Sequence, residues 1–598
     1  MKIKKYLLAL CSAIALLINS SDIYSKGLKT VFDYRLVLIL MLSFIIYFVF
    51  KKYDSKKTKY SKICSLIFCL FLLIGNAYEC YGTIKGLYRL DMIPWTIIKS
   101  IGFYCIINFF ICLIQNNISK YQKKKDIKDN FLVKRFNSHP LLFCLCTLAI
   151  CWSIYYIAYY PIVLSPDPSF QIKQFLGEKT KYMDYSILLD ENVTITNHHP
   201  VFHTVLIGSF AKLGIIIGND NFGLFLYSLL QGLFMAFTLS STICLLKQKG
   251  IKNKYLFLML GIYALVPMFP IYAINGNKDV YYSLFVLWLM MFLFKYVDSK
   301  KEQLLSFKEC FLWLLVLLFI CLFRNNGSYL VIILFPFVLF YKKINFKRIL
   351  AIFSIVLCLF YSYKNVLIPS LGITGGSVRE MMSIFFQQTA RDVINNEQDY
   401  TIKDIQIIDN IIDYENMKEN YDPVLADPVK NTYNKYASSE DLKKYFGVWF
   451  KGLIKHPMTY IDATLNNVYG YFDPEDINWY SYTKYDTRIT NLVDYHYNEL
   501  NGIRSLLTKW IQGYPYIPVL GLISNIGFST WIFIAIGVWC FMNKRKDYVI
   551  ILIPMIVSLL VCIASPVNTY FRYAMPNVFA IPFIVGIWFY LNKKRTSK

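Results

Sequence analysis

Charge is in short supply in this 598-residue chain: 17% of its residues are Asp, Glu, Lys or Arg, against 56% hydrophobic and 18% aromatic. With apolar runs of about twenty residues recurring from end to end, that shortage excludes a soluble globular body and indicates a polytopic membrane protein. Cysteine is missing from 370–515, and nearly all of the 15 cysteines lie in apolar runs. Neither a disulfide framework nor a Cys-ligated metal site is therefore expected. No internal repeat and no low-complexity tract is visible. The opening MKIKKYLLALCSAIALLINSS lacks a small-x-small cleavage site, and Leu10 before Cys11 makes a poor lipobox, so it reads as an uncleaved first span. Histidine numbers six, yet His198, His199 and His203 all fall within TNHHPVFHT.

Apolar windows place spans near 6–22, 34–50, 62–79, 95–115, 141–163, 222–246, 255–273, 280–296, 309–323, 328–341, 349–368, 516–540, 548–564 and 574–591, about fourteen in all. Cytoplasmic loops keep the excess of Lys and Arg. In one register KIKK at 2–5, KKYDSKK at 51–57, KKKDIKD at 123–129, KQKGIKNK at 247–254, KKINFKR at 342–348, NKRKD at 543–547 and KKR at 593–595 all fall inside. That register requires 199–217 to lie along the outer interface rather than cross. It also puts 370–515 outside, where 20 acidic residues meet 14 basic ones in a chain of net charge +25. The basic excess thus follows topology and anionic lipid, and nucleic acid is set aside as a partner.

The expected fold is all-α and polytopic, in four parts. Residues 1–130 form an accessory module of four spans; 131–369 form a transmembrane core with a working outer loop at 164–221; 370–515 form a mainly helical extracytoplasmic segment; 516–598 carry the last spans. Within 370–515, short helices broken at Asp422–Pro423 and Asp427–Pro428 precede DLKKYFGVWFKGLIKHPMTYIDATLNN, which reads as an amphipathic helix, a His–Pro break and a second helix. Its aromatic residues and lysines suit either a bilayer-surface segment or an ordinary helix packed on its neighbours.

The first outer loop opens YYPIVLSPDPSFQIKQFLG, with Asp167 between Pro166 and Pro168. Flanking prolines stiffen that backbone. Asp167 reads as a helix N-cap with Pro168 at the first helical position, a geometry that also positions a carboxylate well, and it is the first candidate for the catalytic base. AINGNKDVYYSLF puts Asn275, Lys278 and Asp279 in an outer turn, read either as solvated or as a second acid with polar company. Arginine is scarce, 12 against 51 lysines, yet Arg324 in FRNNGSY and Arg572 in NTYFRYAMP stand at outer span ends, where positive charge is disfavoured. Their planar forks suit a phosphate or carboxylate; snorkelling to headgroups is the plainer alternative. Carboxylates and arginines around a wet cavity at membrane level fit glycosyl transfer from a lipid phosphate. A carboxylate takes the acceptor proton while cations meet the departing phosphate oxygens, and no glycosidase-like second acid is needed.

Taken in order, SPD, HHPVFH, NKD, RNNG and RYAMP resemble the motif succession of GT-C glycosyltransferases, polytopic enzymes that use polyprenyl-phosphate sugars on the outer face. TNHHPVFHT, REMMSIFFQQTARDV and HPMTYIDATLNNVYGYF are also similar to a bacterial family of membrane proteins of unknown function, over 130–590, with the first four spans outside that similarity. The GT-C resemblance implies the essential acid at Asp167 and a second at Asp279. Lys278, Arg324, Asn326, Arg572 and Tyr573, which lie in those motifs, and Asn275, in the turn just before NKD, become candidate substrate contacts. A single Asp follows the span, where the commonest GT-C pattern has a pair, which leaves a divalent cation open. For the histidines three readings stand: His199 and His203 sharing a metal with Asp184, Asp190 or Glu191; a satisfied polar pair at a helix start; or imidazoles aimed at a lipid phosphate. The resemblance favours the last, with His198 in the same role.

The expectation is a glycosyltransferase of the bacterial plasma membrane, moving a hexosyl or pentosyl group from a polyprenyl-phosphate donor to an envelope glycan, lipid or protein on the extracytoplasmic face. A transporter or flippase for lipid-linked glycans, or a non-catalytic assembly partner, is the alternative. Transporters usually carry repeats and broken helices near the midplane, and the sequence displays neither.

Overall fold

The computed structural model describes residues 2–18, 35–53, 58–123, 126–477, 481–565 and 567–596. The end of the first expected span (19–22), the start of the second (34), and parts of two lysine runs (54–57 and 124–125) lie outside the described residues. Among the described residues the protein is helical, with isolated β-bridges and no strand.

Among the described residues eight helices are long and apolar enough to cross a membrane: Lys59–Tyr81, Ile93–Ile118, Pro140–Ala158, Asp220–Gln248, Lys278–Asp298, Lys343–Ser370, Lys546–Ile563 and Phe571–Lys594. Val201–Ile216, Asn253–Leu265, Gly327–Leu339 and Ile526–Met542 are shorter apolar helices. The chain is thus a multi-pass, membrane-type helical protein. Helices also occupy the remaining expected windows, at Lys2–Leu17, Arg35–Lys52 and Phe307–Phe323.

Three boundaries differ from the sequence reading, each for a local reason. The helix expected to reach 163 ends at Ala158, two residues before Tyr160–Pro161, because the residue preceding a proline is pushed out of helical geometry. The 255–273 segment is two helices, Asn253–Leu265 and Met268–Ala273, separated at Val266–Pro267. This is a broken helix that the sequence reading did not anticipate. Residues 516–525 form 3-10 turns before the Ile526–Met542 helix begins at its Asn525 cap.

Lys278–Asp298 is the central post, buried on nearly every side. At its far end Asp298 gathers Lys249 (2.5 Å), Lys594 (3.0 Å) and the hydroxyls of Tyr548 and Tyr590 (2.6 and 2.9 Å), tying together three lysine-bearing helix ends. The N-terminal helices pack onto the C-terminal spans, with Phe68 stacked on Trp531 at 4.5 Å. The 370–515 segment divides in two. Residues 382–448 carry a separate apolar core around Phe386, Ile412 and Tyr445, whereas Tyr471, Val493, Tyr495 and Tyr514 belong to the main core. Asp422–Pro423 lies in a turn, but Asp427–Pro428 starts the short Asp427–Lys430 helix rather than breaking one. The expected helix, break and helix are Ser439–Lys455, His456 and Pro457–Asn466.

Candidate functional site

Two backbone pairings assemble the site. After the Pro140–Ala158 helix the chain runs extended, and Val163 donates to the Ile274 carbonyl (3.0 Å) while its own carbonyl accepts from Gly276 (2.9 Å). This sets the Asp167 loop against the turn that leads into Lys278–Asp298. Asn197 donates to the Thr374 carbonyl (2.8 Å), and the Thr374 hydroxyl accepts from the Leu189 amide (2.9 Å). The start of the 370–515 segment is thereby strapped over the histidines.

Asp167 is not the N-cap of its helix. Ser165 stands at the N-cap of Pro166–Phe175 without a side-chain cap bond, and Asp167 occupies the second helical position with its side chain turned into the site. Its Oδ2 meets Arg572 Nη1 at 2.8 Å and Lys278 Nζ at 3.1 Å, with His199 Nδ1 at 3.9 Å. Burial by itself would raise this carboxyl, but Arg572, Lys278 and His199 outweigh it and hold Asp167 ionised well below the usual range. Asp279 is 1% exposed, which removes the solvated-turn reading, and its two oxygens stand 3.6 Å from Arg324 Nε and 3.4 Å from Arg572 Nε. One arginine therefore bridges both acids. Tyr573 fills the space between the two guanidiniums, with ring-centroid distances of 5.1 Å to Arg324 and 5.6 Å to Arg572, a cation–π arrangement that orients both forks. Two carboxylates against Lys278, Arg324 and Arg572 leave the cluster one positive charge in excess.

The three histidines have three different surroundings. Lys278 donates to His199 Nδ1 at 3.1 Å, so the ring proton resides on Nε2, a buried donor without a hydrogen-bond partner among the described residues. Burial first, then Lys278, holds His199 neutral, well below its usual value. His198 stacks on Tyr182 (centroids 4.1 Å apart) with Glu380 at 3.8 Å, and burial lowers it to about 4. His203 is a correction to the expected phosphate contact. It is fully buried, with Nδ1 3.0 Å from Gln171 Oε1 and Nε2 2.7 Å from the Tyr227 hydroxyl, so neither nitrogen remains for a ligand. The same geometry removes the shared-metal reading of His199 and His203. Among the described residues no group of three or more His, Cys, Asp or Glu side chains is arranged to hold a metal ion.

His203 works from behind the site. Tyr227 donates its one hydroxyl proton to His203 Nε2 and lies 3.2 Å from Gln231 Oε1, and the Gln231 amide donates to the carbonyls of Tyr272, Ala273 and Asn275 (3.0, 3.2 and 2.6 Å). The chain of contacts runs from Gln171, one helical turn beyond Asp167, to the turn that carries Lys278. Asn275 and Asn326 each bury a side-chain oxygen without a protein partner. Gly327, which completes RNNG, lies so close to the Ile320 carbonyl that a Cβ would sit 2.2 Å from it.

Glu380, Lys430, Arg379 and Tyr182 were missed by sequence reasoning. Glu380 bonds Lys430 (2.8 Å) and Arg379 (3.1 Å), while Arg379 lies 3.3 Å over the Tyr185 ring. Arg379 and Glu380 stand inside the quoted REMMSIFFQQTARDV, which was the only available signal; nothing marked Lys430.

Two consequences are measurable. His199→Ala should weaken binding of an anionic lipid ligand about ten- to hundred-fold, the worth of a charge-assisted contact. His203→Ala should leave affinity nearly unchanged and lower the unfolding temperature, since it empties a buried hydrogen-bonded position. Acid should also destabilise the fold. The folded values of His198 and His199 are depressed, so the unfolded chain binds more protons below ~6.5. Stability is complete above that value and falls as pH drops toward 4. His198 alone contributes up to about 3 kcal/mol, and His198→Asn should flatten the dependence of the unfolding midpoint on pH in that window.

A family described as "Family of unknown function (DUF6020)" matches residues 7–598, and the chain belongs to it. The match takes in the first four helices, which the motif similarity had left out. No curated protein and no solved structure matches the chain.

Proposed function

We propose that this protein is a membrane glycosyltransferase of the GT-C type, moving a sugar from a polyprenyl-phosphate donor to a glycan, lipid or protein acceptor of the cell envelope, at the extracytoplasmic face of the bacterial plasma membrane. The observation that carries the reading is the Asp167–Lys278–Arg572–Asp279–Arg324 cluster. It is a buried ion-pair cluster with Asp167 held ionised and cations in excess, assembled from the segments in which the GT-C motif order was read.

In this reading the Arg572, Lys278 and His199 contacts to Asp167 among the described residues all fall on Oδ2, leaving Oδ1 for the acceptor hydroxyl. A carboxylate so strongly paired is a weak base until something competes for its cations. The donor phosphate does so: Arg572, Lys278 and the His199 Nε2–H turn toward its oxygens, and Asp167 regains basicity as they leave. The acceptor O–H proton passes to Asp167, the acceptor oxygen bonds the anomeric carbon, and the C–O bond to phosphate breaks with its electron pair left on the phosphate. Arg324 and Arg572 stabilise that charge. Purified protein in liposomes with a radiolabelled polyprenyl-phosphate sugar should release polyprenyl phosphate in step with acceptor labelling. Donor movement across the bilayer without bond cleavage would select the flippase alternative instead.

The topology belonging to this reading has about fourteen spans, with the lysine loops inside and 199–217 along the outer interface. Probes at residues 190 and 420 should react with an impermeant reagent from outside, and one at 250 should not. Labelling at 250 would turn the orientation over.

A further inference from the structure

We propose that the Ser439–Lys455 and Pro457–Asn466 helices rest on the lipid surface as an amphipathic ledge that holds the 382–448 core at the height of the site. The inner face of the first helix buries Tyr445, Val448 and Gly452. Its other side leaves Phe450 and Ile454 57% and 67% exposed, and past the His456 break the stripe continues through Met458 and Ile461. On a helix with ~100° per residue, Phe450 and Ile454 fall within about 40° of each other, with exposed Lys443 in the same sector two turns earlier, while Lys451, Lys444 and Lys455 follow about 60–100° round from Ile454 on one flank. All three lysines are exposed. Lys451 and Lys455 also hold Asp404 (2.8 Å) and Asp399 (2.7 Å). An apolar stripe flanked on one side by ammonium groups is the arrangement that lets acyl chains meet the first and headgroup phosphates the second.

The height of the stripe comes from a different set of contacts. Asp462 accepts from the Tyr78 hydroxyl (2.7 Å) and the Thr83 hydroxyl (2.6 Å), and Asn466 donates to the Gly82 carbonyl (2.7 Å). Tyr78, Gly82 and Thr83 stand at the end of Lys59–Tyr81, a membrane-long helix. Ile461 and Met458 therefore emerge where that helix leaves the bilayer, and the exposed stripe runs away from this point. Contiguous large apolar side chains in the open call for a partner. Beside a span end and next to lysines, the partner is the phospholipid headgroup layer with its upper acyl chains.

The test is an environment-sensitive fluorescent amino acid at 454 in full-length protein, reconstituted in nanodiscs containing phosphatidylglycerol. Substitution at so exposed a position leaves the buried face untouched. Lipid carrying a quencher just below the headgroup should extinguish the emission, and aqueous iodide should not. Quenching by iodide equal to or above that by lipid would overturn the proposal, because the stripe would then face water. Protection from both would overturn it in favour of a second protein surface. No sugar transfer is involved in the readout, so the outcome is independent of the glycosyltransferase reading.

Discussion

Asp167→Asn is expected to lower sugar transfer roughly 10²–10⁴-fold, the usual worth of a general base, with the fold intact. The amide keeps the shape of the side chain, and Asp167 is the second residue of Pro166–Phe175 rather than its N-cap. Lys278 loses part of its counter-charge while Arg572 retains Asp279 at 3.4 Å, so affinity for a phosphate-bearing donor should hold or rise. The signature is thus a fall in kcat without a rise in the donor's KM, as for an interaction made only in the transition state. Transfer within a few-fold of the unaltered protein would remove Asp167 from the base role.

Arg572→Met should be the most destabilising single change in the site. It strips a 2.8 Å partner from Asp167 and one of two cations from Asp279, which is 1% exposed and whose carboxylate accepts no hydrogen bond among the described residues. Removing one partner of a buried ion pair typically costs 3–5 kcal/mol, because the remaining charge stays dehydrated. Arg572→Lys keeps the charge but cannot bridge two acids with one planar fork, so it should fall between. Arg572→Met with Asp279→Asn should recover part of the loss, since the uncompensated charge goes with its partner. Thermal unfolding of the four proteins of that cycle measures the coupling; strict additivity would mean that Arg572 and Asp279 do not interact.

Much of this architecture was legible because its signals are one-dimensional. Apolar length locates membrane helices, and the scarcity of arginine made Arg324 and Arg572 stand out. Asp167, Lys278, Asp279 and His199 were found because each adjoins a proline, a turn or another polar residue in an apolar stretch. Their mutual distances were not legible, since they depend on the Val163–Asn275 pairing between segments more than a hundred residues apart. The role of His203 was hidden for the same reason. Its partners are Gln171 and Tyr227, 32 and 24 positions away, and a histidine one helical turn from His199 reads like a second ligand until both nitrogens are seen to be occupied. Glu380 and Lys430 were invisible because a charged residue in a polar segment carries no mark of its own. The broken helix at Val266–Pro267 was masked by continuous hydropathy, although the proline was in view.

The most direct measurement of the central claim is a structure of the protein with bound polyprenyl phosphate. The phosphate should lie within hydrogen-bond distance of Arg572, Lys278 and His199 Nε2, with Arg324 on its far side and Asp167 Oδ1 facing the space an acceptor would enter. A phosphate bound elsewhere, with the Asp167–Arg572 and Asp167–Lys278 contacts at 2.8 and 3.1 Å undisturbed, would contradict it and leave the cluster a structural ion-pair network.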